Sequence, residues 1–539
     1  MDETQKLEAD FVVVGAGTAG CILASRLSED PKTSVILTEA GPRDNNPLVH
    51  IPIGFSNLLY NPKLNWGFET TAQDYLESRR IDWPRGKLIG GSSSINGMIW
   101  VRGDEKDFDD WAVAAADARW SWQGCQKYFQ LCEDAPENSD PRLGRGGMIP
   151  LSVTSANNIA VDAFLSAGQA SGLPLQRSLG ISDKAGVGYY LTTIREGRRI
   201  SSAVAYLKKA EKRRNLRVLT STSVSKIVLS DDRVATGVIG HKKGKRITIN
   251  ARRGVILSAG TVGSPQLLML SGIGDGRDLK KHGIGVAIDS REVGANLQDH
   301  FGARVMSKIA PPVSINSDFR RPWRLAKYAA QYFLSRSGPL SIGGAYAGAF
   351  FSPTGKGRPT MQIHFLPLTM KGKGWNFHKF SGVTANVCQL RPKSRGKISL
   401  ATPFHEDAPL IDPKYLSHEE DQAAIVDGVK FVRKMLRAPS FVEPMKSTEF
   451  WPGAEVESDS DILSYAKSVG NTVFHPVGTC RMGADSNAVV NSQGLLNGAQ
   501  NLWVADASIM PNIPSGNTNA ATAMIAEQIS DIIKTGRHN

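Results

Sequence analysis

Short apolar runs alternate with glycine-rich turns at the beginning of the chain. Residues 11–14 (FVVV) and 35–37 (VIL) are apolar throughout, and the first of these runs is rich in β-branched side chains. Such runs are typical of central parallel strands that are buried on both faces. The segment between them is long enough for one helix, so the pattern predicts a strand–helix–strand unit.

Later stretches predict other elements. Residues 361–366 and 382–387 show strand-like alternation or β-branched content. Residues 520–533 are rich in Ala and Ile and predict a helix, for which Asn517 or Thr518 suits the N-cap position. A chain of 539 residues is too long for one compact core, so we predict two or more domains.

Composition argues against several classes of protein. The five cysteines are odd in number and none has CxxC spacing, so we expect neither a disulfide framework nor a metal site. The net charge of +13 comes without a recognised nucleic-acid module, so we expect no nucleic-acid partner. Residues 1–9 are polar and acidic, and no apolar run reaches about 18 residues. These features predict a cytoplasmic protein.

Residues 320–333 mix basic and aromatic side chains at helical spacing. An interfacial helix that docks on an anionic membrane is one interpretation of this segment. An ordinary helix packed within its domain is the other. Peripheral membrane association therefore stays open at the level of the sequence.

A GxGxxG motif follows the first strand directly, at residues 15–20. Gly15 permits the tight turn, Gly17 lets the backbone approach a pyrophosphate, and Gly20 lets the following helix pack closely. Glu39 ends the second strand 19 residues beyond Gly20, where a carboxylate accepts ribose hydroxyls and repels a 2′-phosphate. The motif predicts a dinucleotide site without deciding between NAD and FAD. Its residues are Gly15, Gly17, Thr18, Ala19, Gly20, Glu39 and Ala40.

A second loop, at residues 86–98, is rich in glycine and serine and leads into the apolar residues 99–101. Its backbone and hydroxyl groups could hold a diphosphate and the edge of a planar ring. This loop resembles the first signature of the glucose–methanol–choline (GMC) oxidoreductase family. Further stretches that resemble the family are 260–274, 293–300 and 392–396, and the resemblance extends from residue 11 to about residue 533.

The resemblance implies an α/β fold (α+β overall), in which a Rossmann-like FAD-binding domain with a parallel sheet is interleaved with a substrate domain of antiparallel sheet flanked by helices. The FAD-binding domain is expected at 1–155, 207–312 and 468–539, and the substrate domain at 156–206 and 313–467. FAD would be held non-covalently, because the position that carries a histidine in some members is Ile95 here. The further cofactor-binding residues that the resemblance implies are Gly90, Ser92, Ser93, Asn96, Gly97, Met98, Ile99, Val224, Asp506, Ala507, Asn517 and Thr518.

By the same resemblance, His475 and Asn519 face the flavin and bind the substrate hydroxyl. A neutral imidazole can accept the hydroxyl proton because its pKa lies near pH 7. The amide of Asn519 cannot take a proton, but it can hydrogen-bond the developing alkoxide. We expect His300, in the stretch 293–300, to make a structural hydrogen bond instead.

The expected activity is oxidation of a primary alcohol or polyol to the aldehyde or ketone by hydride transfer to flavin N5. The motifs resemble those of bacterial choline, alcohol, polyethylene-glycol and sorbose dehydrogenases, which implies a quinone, a cytochrome or a dye-like compound as electron acceptor. An alcohol oxidase that uses oxygen is the near alternative. A flavin-containing lyase or photodecarboxylase of the same fold is a more distant one.

Overall fold

The computed structural model describes residues 5–153, 158–181, 184–319, 321–374 and 376–536. Arg320, the first residue of the basic and aromatic segment, lies outside these ranges. Two large β-sheets organise the described chain. One is Rossmann-like and the other is largely antiparallel, so the predicted fold class is confirmed.

The first sheet has seven strands and contains the predicted strand–helix–strand unit. Gln5–Val14 lies in its centre, parallel both to Val35–Thr38 and to Lys245–Leu257. Residues 11–14 are all buried, as expected for a strand that is covered on both faces. The seven strands are Gln5–Val14, Val35–Thr38, Leu216–Leu219, Thr222–Leu229, Ala235–Lys242, Lys245–Leu257 and Leu502–Val504.

The second sheet has ten strands, and its side chains alternate between two environments. In Met361–Leu366, Phe365 stacks on Phe164 of a covering helix, whereas His364 and Leu366 line a cavity on the opposite face. The ten strands are Ile99–Trp100, Ser152–Val153, Leu175–Leu179, Gly186–Thr192, Phe301–Lys308, Ala347–Phe351, Met361–Leu366, Gly382–Gln389, Thr448–Trp451 and Asn471–Thr472. Two-stranded ribbons pair Phe68–Glu69 with Asp82–Trp83, Glu133–Asp134 with Ile149–Pro150, Ile194–Arg195 with Arg198–Arg199, Ile273–Gly274 with Ile288–Asp289, and Lys397–Ser399 with Leu410–Asp412.

The C-terminal helix, Asn519–Thr535, is almost entirely buried and packs against Thr18–Leu27, the helix that follows the GxGxxG motif. Thr518 occupies its N-cap position. No described helix is long and apolar enough to cross a membrane. The α-helices are Thr18–Leu27, Pro47–His50, Phe55–Leu58, Glu105–Ala115, Trp122–Cys132, Ile159–Ala170, Lys208–Ala210, Gly260–Leu270, Gly276–Lys281, Ile315–Phe319, Pro322–Ser335, Glu419–Leu436, Pro439–Met445, Asp459–Val469 and Asn519–Thr535.

Both sheets take strands from the ranges that the sequence assigns to the FAD-binding domain. All strands of the first sheet fall within those ranges. The second sheet also draws four strands from them: Ile99–Trp100, Ser152–Val153, Phe301–Lys308 and Asn471–Thr472. The exact domain limits therefore stay a prediction, while the discontinuous course of the chain through the first sheet is a feature of the fold.

Candidate active site

A cavity of about 900 Å³ is bounded by residues of both sheets. It runs from the GxGxxG loop, past the serine-rich loop, to the face of the second sheet that carries His364. This volume lies at the upper end of the range for small-molecule pockets, about 300–1,000 Å³. The predicted site residues that line it are Gly15, Gly17, Thr18, Ala19, Glu39, Ala40, Ser92, Asn96, Gly97, Met98, Ile99, Val224, His475, Asp506, Ala507, Asn517, Thr518 and Asn519.

Three predicted site residues, Gly20, Gly90 and Ser93, do not line the cavity but stabilise the loops that do. A Cβ atom on Gly20 would lie 1.8 Å from the Gly15 carbonyl oxygen, so only glycine lets the helix approach the turn this closely. Gly90 has φ +88° and donates its N–H to the Ala16 carbonyl at 2.7 Å. The Ser93 hydroxyl donates to the Gly90 carbonyl at 2.6 Å. These contacts hold the two loops against each other.

As the sequence predicted, Glu39 lies at the end of the second strand. Its carboxylate accepts backbone N–H groups from Ala16 at 3.0 Å and from Gly41 at 2.8 Å. Each oxygen keeps a lone pair for a further donor, such as a ribose hydroxyl. Burial raises the pKa of Glu39 to about 7, and hydroxyl donors from a ligand would favour the ionised form.

Sequence reasoning missed Arg199, which lies beneath the serine-rich loop. Its side chain is 1% exposed and donates to Asn96 Oδ1 at 2.8 Å and to the Ser93 carbonyl at 3.2 Å. Burial lowers its pKa to about 9. One terminal nitrogen has no hydrogen-bond partner, and no carboxylate in the described chain forms an ion pair with it. A buried cation of this kind requires a compensating negative charge.

These features fit a flavin dinucleotide. A Cβ atom on Gly91 would lie 2.7 Å from the Gly17 Cα, so a pair of glycines brings both loops to one groove. Glu39 offers acceptors for a ribose at one end of the groove, and the first turn of the helix Thr18–Leu27 offers backbone N–H groups to a diphosphate. The buried charge of Arg199 lies behind the serine-rich loop and does not line the cavity. The far end of the same cavity opens beside His475.

His475 is aimed into the cavity by a constrained backbone. Phe474, which precedes it, has φ +70°, an uncommon conformation for a residue with a side chain. The Phe474 N–H donates to Thr472 Oγ1 at 2.7 Å, and its carbonyl accepts from Arg85 at 2.8 Å. The buried carboxylate of Asp299 accepts the His475 N–H at 2.8 Å. Together these bonds stabilise the conformation that turns the imidazole inward.

His475 is also part of a chain of hydrogen bonds that defines its tautomer. The Leu390 carbonyl can only accept, so His300 donates to it from Nε2, at 3.0 Å. His300 Nδ1 is then an acceptor, and His475 Nδ1 donates to it at 3.1 Å. The lone pair of His475 therefore lies on Nε2, to which Asn517 Nδ2 donates at 2.9 Å. The hydrogen bond expected of His300 is thus made to His475 itself.

Burial keeps these imidazoles neutral. Desolvation lowers the pKa of His475 well below its ordinary value of 6.5, and His300, His364 and Arg85 lower it further. Burial also lowers the pKa of His300 to about 3 and that of His364 to about 4. An unprotonated imidazole with its lone pair in the cavity can accept a proton at neutral pH.

The carboxamide beside His475 belongs to Asn517 and not to Asn519, so the predicted pair is corrected. Asn519 is the first residue of the C-terminal helix, and its Oδ1 accepts from Thr18 Oγ1 at 2.8 Å. It is thereby directed to the dinucleotide loop. Asn517 precedes the helix, contacts His475, and accepts from Gln362 at 3.2 Å. The sequence had assigned Asn517 to the cofactor only.

A polar row on the second sheet begins beside this pair. His364 lies beside Asn517, Asn386 is the direct neighbour of His364 on the next strand, and Arg304 is the neighbour of Asn386. Strands lie about 4.8 Å apart, so the row extends roughly 10 Å from His364. In the described chain the side chains of Asn386 and Arg304 form no hydrogen bond or ion pair. The apolar residues around the row are Met306, Leu366, Leu368, Met370 and Phe377.

The acidic residues of the described cavity wall lie beside the first sheet and not beside this row. They are Glu39, Glu406 and Asp506. Glu406 pairs with His405 at 2.9 Å, and Asp506 accepts from Gly260 and from neighbouring hydroxyl and N–H groups beside the first sheet. The half of the cavity next to the second sheet therefore carries the positive charge of Arg304 without a facing carboxylate.

Models of the GMC oxidoreductase family match residues 9–302 and 392–526. Among similar proteins, an alcohol dehydrogenase (acceptor) from Pseudomonas putida is 41% identical over 97% of this chain and 95% of its own length. An oxygen-dependent choline dehydrogenase from Brucella anthropi is 37% identical over 98% of this chain and 96% of its own length.

Solved structures resemble the chain over nearly its whole length. Pyridoxine 4-oxidase from Mesorbium loti superposes with a TM-score of 0.87 at 31% identity, covering 98% of this chain and 100% of that one. A formate oxidase from Aspergillus oryzae, studied for its FAD modification, superposes with a TM-score of 0.92 at 27% identity, covering 99% of each chain.

Proposed function

Because the chain belongs to the GMC oxidoreductase family, we propose that it is an FAD-dependent alcohol dehydrogenase that oxidises the CH–OH group of a primary alcohol or polyol. One observation carries the proposal. The unprotonated Nε2 of His475 and the amide of Asn517 lie 2.9 Å apart, at one end of a cavity whose other end fits FAD. A substrate hydroxyl would replace this hydrogen bond, donating to Nε2 and accepting from Nδ2, once the two side chains move apart.

His475 and Asn517 act on the substrate hydroxyl in complementary ways. The hydroxyl donates its proton to Nε2 of His475 and accepts a hydrogen bond from Nδ2 of Asn517. Loss of the proton builds negative charge on the oxygen, which Asn517 stabilises, and this charge eases departure of hydride from the adjacent carbon. His300 Nδ1 accepts the hydrogen bond from Nδ1 of His475, so the imidazole of His475 keeps its orientation while it is protonated. Bound FAD supplies the two-electron acceptance that alcohol oxidation requires.

We propose further that FAD is held without a covalent bond. Ile95, which replaces the histidine that some family members use, is a buried hydrocarbon side chain and offers no nucleophile. Arg199 would support the serine-rich loop against the diphosphate from behind, and Glu39 would hold a ribose by hydrogen bonds. Acid precipitation of the yellow protein should consequently leave the flavin in the supernatant.

The proposal is tested by mixing the purified yellow holoenzyme with primary alkanols, polyols and choline in the absence of oxygen. We expect at least one uncharged alcohol to bleach the flavin colour rapidly. Slow recovery in air and fast recovery with a quinone or dye would identify a dehydrogenase, whereas fast recovery in air would identify an oxidase. If no alcohol bleaches the protein, the proposed reaction is wrong, and the lyase or photodecarboxylase alternative takes its place.

The positive charge in the half of the cavity next to the second sheet would also select among alcohol substrates by their charge. Arg304 stands there without a carboxylate opposite, so its positive charge would repel a quaternary ammonium such as choline. We therefore propose that neutral or anionic alcohols are preferred to choline, although choline dehydrogenases are among the relatives.

Replacing Arg304 with alanine should lower kcat/KM for an ω-hydroxycarboxylate about fivefold relative to the alkanol of equal length, because one charge–charge contact near the surface is lost. Lys308→Ala is the matched control, since it removes a cation from the end of the same strand, outside the cavity. Steady-state kinetics with both substrates measure the ratio. An unchanged ratio in the Arg304 variant would remove this residue from substrate selection.

A further inference from the structure

The helix Pro322–Ser335 carries an apolar stripe on its outer side. Trp323, Phe333 and Leu334 are 61%, 64% and 88% exposed, and Ala326 and Ala330 are exposed as well. On a helix of 3.6 residues per turn these five positions fall on one side. Large apolar side chains at this exposure are costly in water, so the stripe indicates a surface that meets another phase or molecule.

The opposite side of the same helix already has its partners. Tyr332 is buried and donates its hydroxyl to the Gly197 carbonyl at 3.0 Å. Leu325, Tyr328 and Ala329 are partly buried on the same side. The exposed stripe is therefore a second apolar face, and in the described part of the chain it has no packing partner. An ordinary packed helix needs only one such face.

The charge around the stripe identifies its partner. Residues 319–336 contain five basic residues and no acidic one. Arg321 and Lys327 are exposed, Arg324 pairs with Asp318 at 2.6 Å, and Arg336 lies over the Phe333 ring at 5.9 Å. A second copy of the chain on this face would bring two sets of cations together, which repel. An anionic lipid surface attracts them and at the same time accepts the apolar stripe.

We propose that Pro322–Ser335 is a docking surface for an anionic lipid bilayer. Its apolar stripe would lie at the boundary of headgroups and acyl chains, with Trp323 at the interface, where tryptophan is favoured. The exposed cations would contact lipid phosphates. This surface is independent of the proposed chemistry, because binding to lipid requires no turnover.

The position of the helix adds a consequence. The segment that follows it packs against Pro52–Gly54, whose Ile53 lines the cavity, and the Gly344 N–H donates to the Gly97 carbonyl at 2.8 Å. The docking surface is thus connected within a few residues to the cavity wall beside the serine-rich loop. If the proposed function holds, a bilayer at this surface would place apolar alcohols or a membrane quinone close to the protein.

Flotation of the full-length holoenzyme with vesicles tests the proposal. We expect binding to vesicles of phosphatidylcholine mixed with phosphatidylglycerol, little binding to phosphatidylcholine alone, and weaker binding at high salt. The double variant Phe333→Ser/Leu334→Ser should bind at least about tenfold more weakly, because the insertion of apolar area is lost. The double variant Arg321→Gln/Lys327→Gln should lose about fivefold per charge.

Val113→Ser is the matched control, because Val113 is 81% exposed on the helix Glu105–Ala115, outside this surface. It should bind vesicles like the unaltered protein, and thermal unfolding of all variants verifies that they are folded. Equal vesicle binding by the Phe333/Leu334 variant and the control would overturn the proposal. The proposal would also be overturned if the protein formed a dimer without lipid and only the Phe333/Leu334 variant abolished that dimer. It would likewise be overturned if the helix bound an acidic protein but did not bind vesicles.

Discussion

The His475→Ala variant is expected to reduce its flavin with an alcohol about 10²–10⁴-fold more slowly than the unaltered enzyme, which is the usual contribution of a general base. Alanine removes the Nε2 lone pair that accepts the hydroxyl proton. The groups that fit FAD, among them Glu39 and Arg199, are unchanged, so the variant should remain yellow. Anaerobic stopped-flow measurement of the loss of colour gives the rate.

Two comparisons make this result specific. His405→Ala removes another imidazole from the cavity wall, but at the end where it pairs with Glu406, and should change the rate far less. His475→Gln keeps a polar side chain of similar length and should be as slow as the alanine variant, because an amide cannot take the proton. Rapid reduction in either His475 variant, at full FAD content, would exclude His475 as the base.

The pH dependence of the unaltered enzyme follows from the same residue. A protonated His475 cannot accept the hydroxyl proton, so kcat/KM falls as the pH drops through the pKa of this group. Burial, followed by His300, His364 and Arg85, lowers that pKa well below 6.5. The acidic limb of kcat/KM should accordingly lie below pH 6.5, with full activity at neutral pH. An acidic limb above 6.5 would contradict this environment.

Replacing Asn517 should have the second largest effect. Asn517→Ala removes the donor that faces the developing alkoxide, and loss of one such donor typically costs about 10²–10³ in rate. Asn517→Asp keeps the size and shape of the side chain but removes the N–H donor, so it should be at least as slow. The same anaerobic reduction experiment measures both variants.

Asn519→Ala separates this assignment from the one that the sequence suggested. Asn519 accepts from Thr18 in the dinucleotide loop and does not contact His475. Its loss removes one hydrogen bond of about 1 kcal/mol, so FAD affinity should fall by up to about tenfold while the reduction rate of the loaded enzyme changes little. If instead flavin reduction is slow in Asn519→Ala and rapid in Asn517→Ala, Asn519 is the residue that stabilises the alkoxide and Asn517 is not.

The parts of the protein that are encoded locally were predictable from the sequence. The apolar run 11–14, the glycines at 15–20 and Glu39 predict a strand, a tight turn, a helix and a second strand, and each is found. Sterics decide such a motif within a few residues, because a Cβ atom on residue 20 would lie only 1.8 Å from the Gly15 carbonyl oxygen. The resemblance to the GMC family rests on motifs of this kind and is confirmed.

The choice between Asn517 and Asn519 was beyond the sequence. Both residues stand in the same short stretch, and both are asparagines that a motif would accept. Gly516 has φ +144°, and the helix starts at Asn519. The side chain of Asn517 therefore faces His475, whereas that of Asn519 faces Thr18. The side-chain direction depends on how the helix docks against the first sheet, which no local pattern records.

The sequence by itself determined the dinucleotide fold and the family, and it singled out His475, which we propose as the base. Only the tertiary structure decided what surrounds that base, because His300, His364 and Asn517 come from three distant parts of the chain. The buried charge of Arg199 and the open row of Asn386 and Arg304 are likewise contacts between strands or loops far apart in sequence. A motif specifies backbone geometry over a few residues, whereas burial, and with it the pKa and the tautomer of each group, arises when distant segments exclude water together.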